Sequence, residues 1–129
     1  MDEIERVIKI AEIIRRELEA KYGVEDNLCG RCIEASDKIS ELLTAENIEH
    51  DIVEGWCVYD DFSTCSDRPY DPHTWIELRD ENKTYVDVTA TQFATLIDED
   101  IPKVIVGKRP YYMQYHEPTE EEMEAMGWY

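Results

Sequence analysis

Basic side chains are scarce in this sequence. Its 129 residues hold 13 Lys and Arg against 31 Asp and Glu, a formal net charge of −18 at pH 7. A protein that neutralises phosphates needs a basic face, so this balance argues against direct binding to nucleic acid or to an anionic membrane. Long apolar runs are missing as well; no segment approaches the roughly 20 residues that a membrane-spanning helix requires. The opening stretch, Met1-Asp2-Glu3-Ile4-Glu5-Arg6, is acidic and amphipathic where a secretory signal is basic and then apolar. The expectation is a cytoplasmic protein whose four cysteines are thiols available for chemistry. Internal repeats, linkers and low-complexity tracts are also absent. The chain therefore reads as one domain over residues 1–129, apolar enough at 43% to bury a core.

Helical periodicity dominates the first third. Ile4, Val7, Ile8, Ala11, Ile14 and Leu18 predict an amphipathic helix over residues 4–22, closed by Gly23. Glu25-Asp26-Asn27 offers caps for a second helix over residues 28–46, on which Cys32, Ala35, Ile39, Leu42 and Leu43 recur, with Cys32 near its start and facing inward. A strand is predicted over residues 48–58, then a loop over 59–72 crowded with Asp60, Asp61, Asp67 and Asp71. Residues 73–78 and 84–89 read as a β-hairpin, residues 104–106 and 111–115 as short strands, and Thr119-Glu120-Glu121-Glu122 as the capping box of a terminal helix. The fold class is α+β, with N-terminal helices packed on a mostly antiparallel sheet.

Three residues fall in a chemically sensible order. Cys32 opens a helix, where the partial positive charge favours thiolate over thiol. His73, in Asp71-Pro72-His73-Thr74-Trp75-Ile76-Glu77-Leu78, begins a strand and can take up a thiol proton. Asp87, in Tyr85-Val86-Asp87-Val88-Thr89-Ala90-Thr91-Gln92-Phe93, lies on the paired strand and can orient the imidazole. The two must share a sheet face, which requires partners of equal parity. A loop of Asp80, Glu81 and Asn82, with Asn82 left-handed, pairs Arg79 with Lys83 and sets Trp75 opposite Asp87; a two-residue turn would put Asp87 on the wrong face.

A cysteine opening a helix, then His-Thr-Trp-Ile-Glu, then Val-Asp-Val-Thr-Ala-Thr-Gln-Phe resembles the transglutaminase-like, papain-like core over residues 27–93, with Val88 where that family often has proline. The resemblance implies acyl transfer at an amide or related carbonyl by a Cys32, His73, Asp87 triad, as peptidase, amidase, deamidase or transglutaminase. It implies neither metal nor organic cofactor, and a peptide or protein substrate. The same superfamily contains members without catalysis, which leaves an inactive binding module as the alternative. For the oxyanion hole, the Cys32 N–H is one donor, and Asn27 is either a second or simply a helix cap. Gln92 reads as structural. Trp75 reads as core or as a substrate contact, and Asp60 and Asp61 as gates that select a basic substrate.

Other readings of the cysteines compete. Cys29-Gly30-Arg31-Cys32 has the spacing of a thiol–disulfide oxidoreductase, but the segment before it is too polar and short for the buried strand such a fold requires. Cys29, Cys32, Cys57 and Cys65, with His50 or His73, are too widely separated for a zinc knuckle. Cys57, beside Trp56, is expected to be a buried thiol and Cys65 an exposed one.

Overall fold

Two helices precede a five-stranded sheet in the computed structural model, which describes residues 2–23, 28–59, 70–97 and 99–125. Helix α1 (Glu3–Tyr22) begins where the Asp2 carboxylate accepts the Glu5 N–H at 2.8 Å, with Glu3 and Glu5 at the positive end of the dipole. Its buried stripe is Val7, Ile10, Ala11, Ile14 and Leu18. Gly23 ends it at φ +106°, a conformation that suits glycine, and donates its N–H to Glu19 O.

Helix α2 (Cys32–Ala45) starts four residues later than the sequence suggests. Leu28 and Gly30 both have positive φ (61° and 77°), and Arg31 N–H closes a turn on Leu28 O, so the chain cannot be helical there. The expected caps at residues 25–27, Asn27 included, lie outside the described residues. Arg31 takes the N-cap position without a side-chain hydrogen bond. This correction makes Cys32 the first residue of the helix.

The sheet runs in the order β4-β3-β2-β1-β5, with every pairing antiparallel: β1 is His50–Val58, β2 Tyr70–Leu78, β3 Tyr85–Asp87, β4 Ile105–Gly107 and β5 Met113–Gln114. The pairs Ile76–Val86 and Glu77–Tyr85 establish the equal-parity register that brings Trp75 and Asp87 level. The turn reaches this register differently from expectation. Lys83, not Asn82, is left-handed at φ +48°, and the Asp80 carboxylate accepts the Thr84 N–H (2.9 Å) and hydroxyl (2.6 Å).

β2 also begins earlier than expected, so His73 lies within the strand and not at its start. Pro72 is tolerated there for a reason of parity. Leu78 N–H donates to Thr84 O, so even-numbered residues of β2 turn their N–H positions toward β3. β3 ends at Asp87, level with Trp75, and the N–H that Pro72 lacks would have faced open space.

Side chains alternate across β2. Ile76 and Leu78, with Val86 and Val88, pack under the helices; Trp75 and Tyr85 face the other way, onto Cys57, Phe93, Tyr112 and Met113. A 3-10 turn (Ala90–Phe93) and a short α3 (Ala94–Ile97) follow β3 and were not anticipated. The final α4 (Glu120–Ala125) does carry its capping box: Glu122 N–H donates to Thr119 Oγ1 (3.2 Å), and Glu122 Oε1 accepts the Thr119 N–H (3.1 Å). No helix among the described residues is long and apolar enough to cross a membrane.

Candidate active site

The first turn of α2 meets β2 at His73 and Thr74. Cys32, His73 and Thr74 line one open cavity of about 580 Å³, together with Gly30, Ile33, Glu54, Gly55, Trp56 and Pro72. Gly55 is paired with His73, and no larger residue fits: a Cβ there would stand 2.2 Å from the Trp75 ring and 2.5 Å from the Gln114 carbonyl oxygen. Trp75 is wholly buried beneath it, its indole N–H donated to Glu77 at 3.1 Å. That placement removes Trp75 from the candidate substrate contacts and makes it the floor on which β1 and β2 sit. Asp60 and Asp61 lie outside the described residues, as does Cys65.

His73 and Asp87 are brought together from neighbouring strands. Nε2 of His73 donates to Asp87 Oδ2 at 2.7 Å, with both residues almost fully buried. The same oxygen accepts the Tyr85 hydroxyl at 2.5 Å, while Oδ1 accepts the Thr89 N–H at 2.9 Å and the Thr89 hydroxyl at 3.2 Å. Burial opposes the charge of Asp87, but His73 and these donors outweigh it, so its carboxyl titrates below the ordinary carboxylate value. The carboxylate form behind the imidazole is thereby favoured. The Phe93 ring packs edge-on against His73 at 5.1 Å and helps fix its plane.

The other ring nitrogen, Nδ1, is buried and makes no hydrogen bond. With Nε2 committed to Asp87, it is the nitrogen left for exchange with sulfur or substrate. His73 and Cys32 shift each other in opposite directions. Burial disfavours the imidazolium, yet Asp87 and then the Cys32 sulfur overcome it, and His73 is pushed up to about 9. Burial likewise raises Cys32, but His73 and the Thr74 N–H and hydroxyl bring it below the ordinary thiol value. The Thr74 N–H is available by the parity that accommodates Pro72: it projects beyond the end of β3. Both shifts favour the thiolate–imidazolium pair over the neutral one.

The remaining cysteines differ from Cys32. Cys57 is fully buried, and desolvation followed by the nearby Asp71 and Asp87 charges raises its thiol far above the ordinary range. Cys29 is exposed and Cys32 is a free thiol, so the two are not bridged. Among the described residues, no three His, Cys, Asp or Glu side chains converge as a metal site. Gln92 keeps its structural role: its amide nitrogen donates to Thr89 O (3.0 Å), and its oxygen accepts the Gly30 N–H (3.4 Å), tying the turn before Cys32 to the segment after Asp87.

Several contributors had no sequence signal of their own. Arg15, buried on α1, donates to Val88 O (2.8 Å) and to Thr91 Oγ1 (3.0 Å), bracing the segment that carries Thr89. An arginine on the apolar stripe of α1 was the available clue. Tyr85 and Thr89 flank Asp87 at two-residue spacing, which in a strand places them on its face. Thr74, Glu54 and Trp56 become visible only once the register is known.

Comparison of the chain with protein-family models, with curated proteins and with solved structures gives no match.

Proposed function

We propose that this protein is a cysteine-dependent acyl-transfer enzyme of transglutaminase-like type, with Cys32 as nucleophile, His73 as acid and base, and Asp87 as the group that orients His73. The observation that carries the reading is the chain of Asp87, His73 and Cys32, ending in a lowered thiol at a helix start on an open cavity. The resemblance of residues 27–93 to the transglutaminase-like core supports it independently of the geometry.

The thiolate of Cys32 attacks the acyl carbon, and the carbonyl π pair moves onto oxygen. The Cys32 N–H at the first turn of α2 has no intrahelical acceptor and faces developing negative charge there. As the tetrahedral species collapses, Nδ1–H of His73 protonates the departing amine, leaving a thioester on Cys32 and a neutral imidazole. A water, or an amine acceptor, then gives its proton to Nδ1 as it attacks the thioester, and Cys32 leaves again as thiolate. Tyr85 and Thr89 hold Asp87 anionic throughout. Hydrolysis is the default outcome, since water reaches an open cavity.

Incubation with a panel of activated esters, peptide amides and glutamine peptides, followed by acid quench and intact-mass measurement, tests this. An acyl adduct on Cys32, absent from Cys32→Ala and reduced about 10²–10⁴-fold in formation rate in His73→Ala, is the expected result. Adducts spread evenly over Cys29 and Cys32, or a Cys29–Cys32 disulfide that cycles with substrate thiols, would replace it with the redox reading.

A further inference from the structure

Half of the cations among the described residues are in ion pairs. Arg6 bonds to Glu46, Lys21 to Glu34, Lys38 to Glu17, Arg79 to Asp51, and Arg15 and Lys103 share Glu19. Lys83, Lys108 and Arg109 stand out among the rest because they share a cavity. Among the described residues none of the three makes an ion pair, and all three line one cavity of about 720 Å³, larger than the one at Cys32 and sharing no residue with it.

Its construction favours an anion. Arg109 is half-buried and held in place: one guanidinium nitrogen donates to Met113 O, and the guanidinium stacks 4.5 Å from the Tyr115 ring centre. Lys108 follows Gly107 at the end of β4. Lys83 sits in the left-handed position of the β2–β3 turn, where glycine or asparagine would be the less strained choice, so the chain accepts a small backbone cost to place a lysine there. The carboxylate on the wall, Asp80, is turned to Thr84 by two hydrogen bonds. Ile4 and Val106 provide an apolar side.

We infer that this cavity binds a small phosphorylated molecule, its phosphate oxygens on Lys83, Lys108 and Arg109 and its apolar body against Ile4 and Val106. Three cations lining one cavity exceed what a single carboxylate can neutralise, and a guanidinium fork together with two point charges suits the several oxygens of a phosphate or pyrophosphate group. The volume lies in the range of small-molecule sites. The chain's overall negative field repels anions, so retention of one reports local structure. This site does not depend on the acyl-transfer reading.

Titration of the ¹⁵N-labelled full chain with pyrophosphate, with citrate as a carboxylate control of high charge, tests the assignment. Saturable amide shifts at Lys83, Gly107 and Lys108 are expected, weakened about tenfold or more in each of Lys83→Glu and Lys108→Glu, and unchanged in Cys32→Ala. Both lysines are exposed, so the folded spectrum of these variants serves as their internal control. Three results would overturn the assignment: no saturable shift up to about 10 mM pyrophosphate, equal binding by the lysine variants, or citrate binding at these residues more tightly than pyrophosphate.

Discussion

Asp87 receives four donated hydrogen bonds, three of them from side chains that can be changed separately. Tyr85→Phe deletes the hydroxyl that shares Oδ2 with His73. The carboxylate then becomes a stronger acceptor for Nε2–H, so His73 should hold its proton to higher pH. The basic limb of the activity profile is expected to move upward, with a rate loss of about tenfold; an unmoved limb under NMR titration of His73 would show Tyr85 to be packing only. Asp87→Asn removes the anion itself, and a fall of about 10²–10⁴-fold in kcat is expected with the fold retained. At this scale the sequence was informative about identity and less so about surroundings. Cys32, His73 and Asp87 could be named because their residue types and order carry chemistry. Trp75 was read two ways because an aromatic beside a histidine serves as core or contact equally well in sequence, and only its complete burial decides. The donors to Asp87 are common Tyr and Thr residues, which signal nothing until strand alternation places them.

Elements position these residues through two packing constraints. Gly55 lets β1 pass over the Trp75 ring, and Gly55→Ala forces a methyl into ring atoms and a backbone oxygen that cannot move aside. Destabilisation of about 1–3 kcal/mol is expected by urea denaturation, accompanied by loss of the His73–Asp87 geometry; a variant as stable as wild type would mean that the strands separate more easily than described. Arg15 ties α1 to the segment after β3. Arg15→Met keeps the bulk and deletes two hydrogen bonds and the ion pair to Glu19, at a cost of about 1.5–3 kcal/mol. The sequence disclosed both long helices and the hairpin register, since apolar period and turn parity are local properties. It misplaced the starts of α2 and β2. Capping residues before Leu28 imitated a helix start that the positive φ values at Leu28 and Gly30 displace to Cys32, and Pro72 imitated a strand end although its missing N–H faces the unpaired side.

Over the whole molecule, charge is the dominant feature. At −18, self-repulsion destabilises the compact state, while exposed ion pairs such as Arg79–Asp51 and Arg6–Glu46 contribute little. Raising ionic strength from about 0.01 to 0.15 M shortens the screening length from roughly 30 to 8 Å. Repulsion between distant carboxylates weakens more than contact pairs do, so the thermal midpoint is expected to rise by several degrees, roughly 3–6 °C for each kcal/mol gained. A midpoint that falls with salt would mean that the ion pairs outweigh the repulsion. The acidic balance was legible in the composition, but the cavity shared by Lys83, Lys108 and Arg109 was not, because Lys83 and the Lys108-Arg109 pair are far apart in sequence and meet only across the sheet.

The mutual shift of Cys32 and His73 is tested most directly by the pH dependence of Cys32 alkylation with iodoacetamide, followed by peptide mass mapping in wild type and His73→Ala. Wild-type Cys32 should react on a limb that begins below the ordinary thiol value and change again as His73 loses its proton near 9, while buried Cys57 stays unmodified. In His73→Ala the limb should move up to ordinary thiol behaviour or beyond. A Cys32 that alkylates with the same pH dependence whether or not His73 is present would contradict the central claim, because no imidazole would then be sharing its proton.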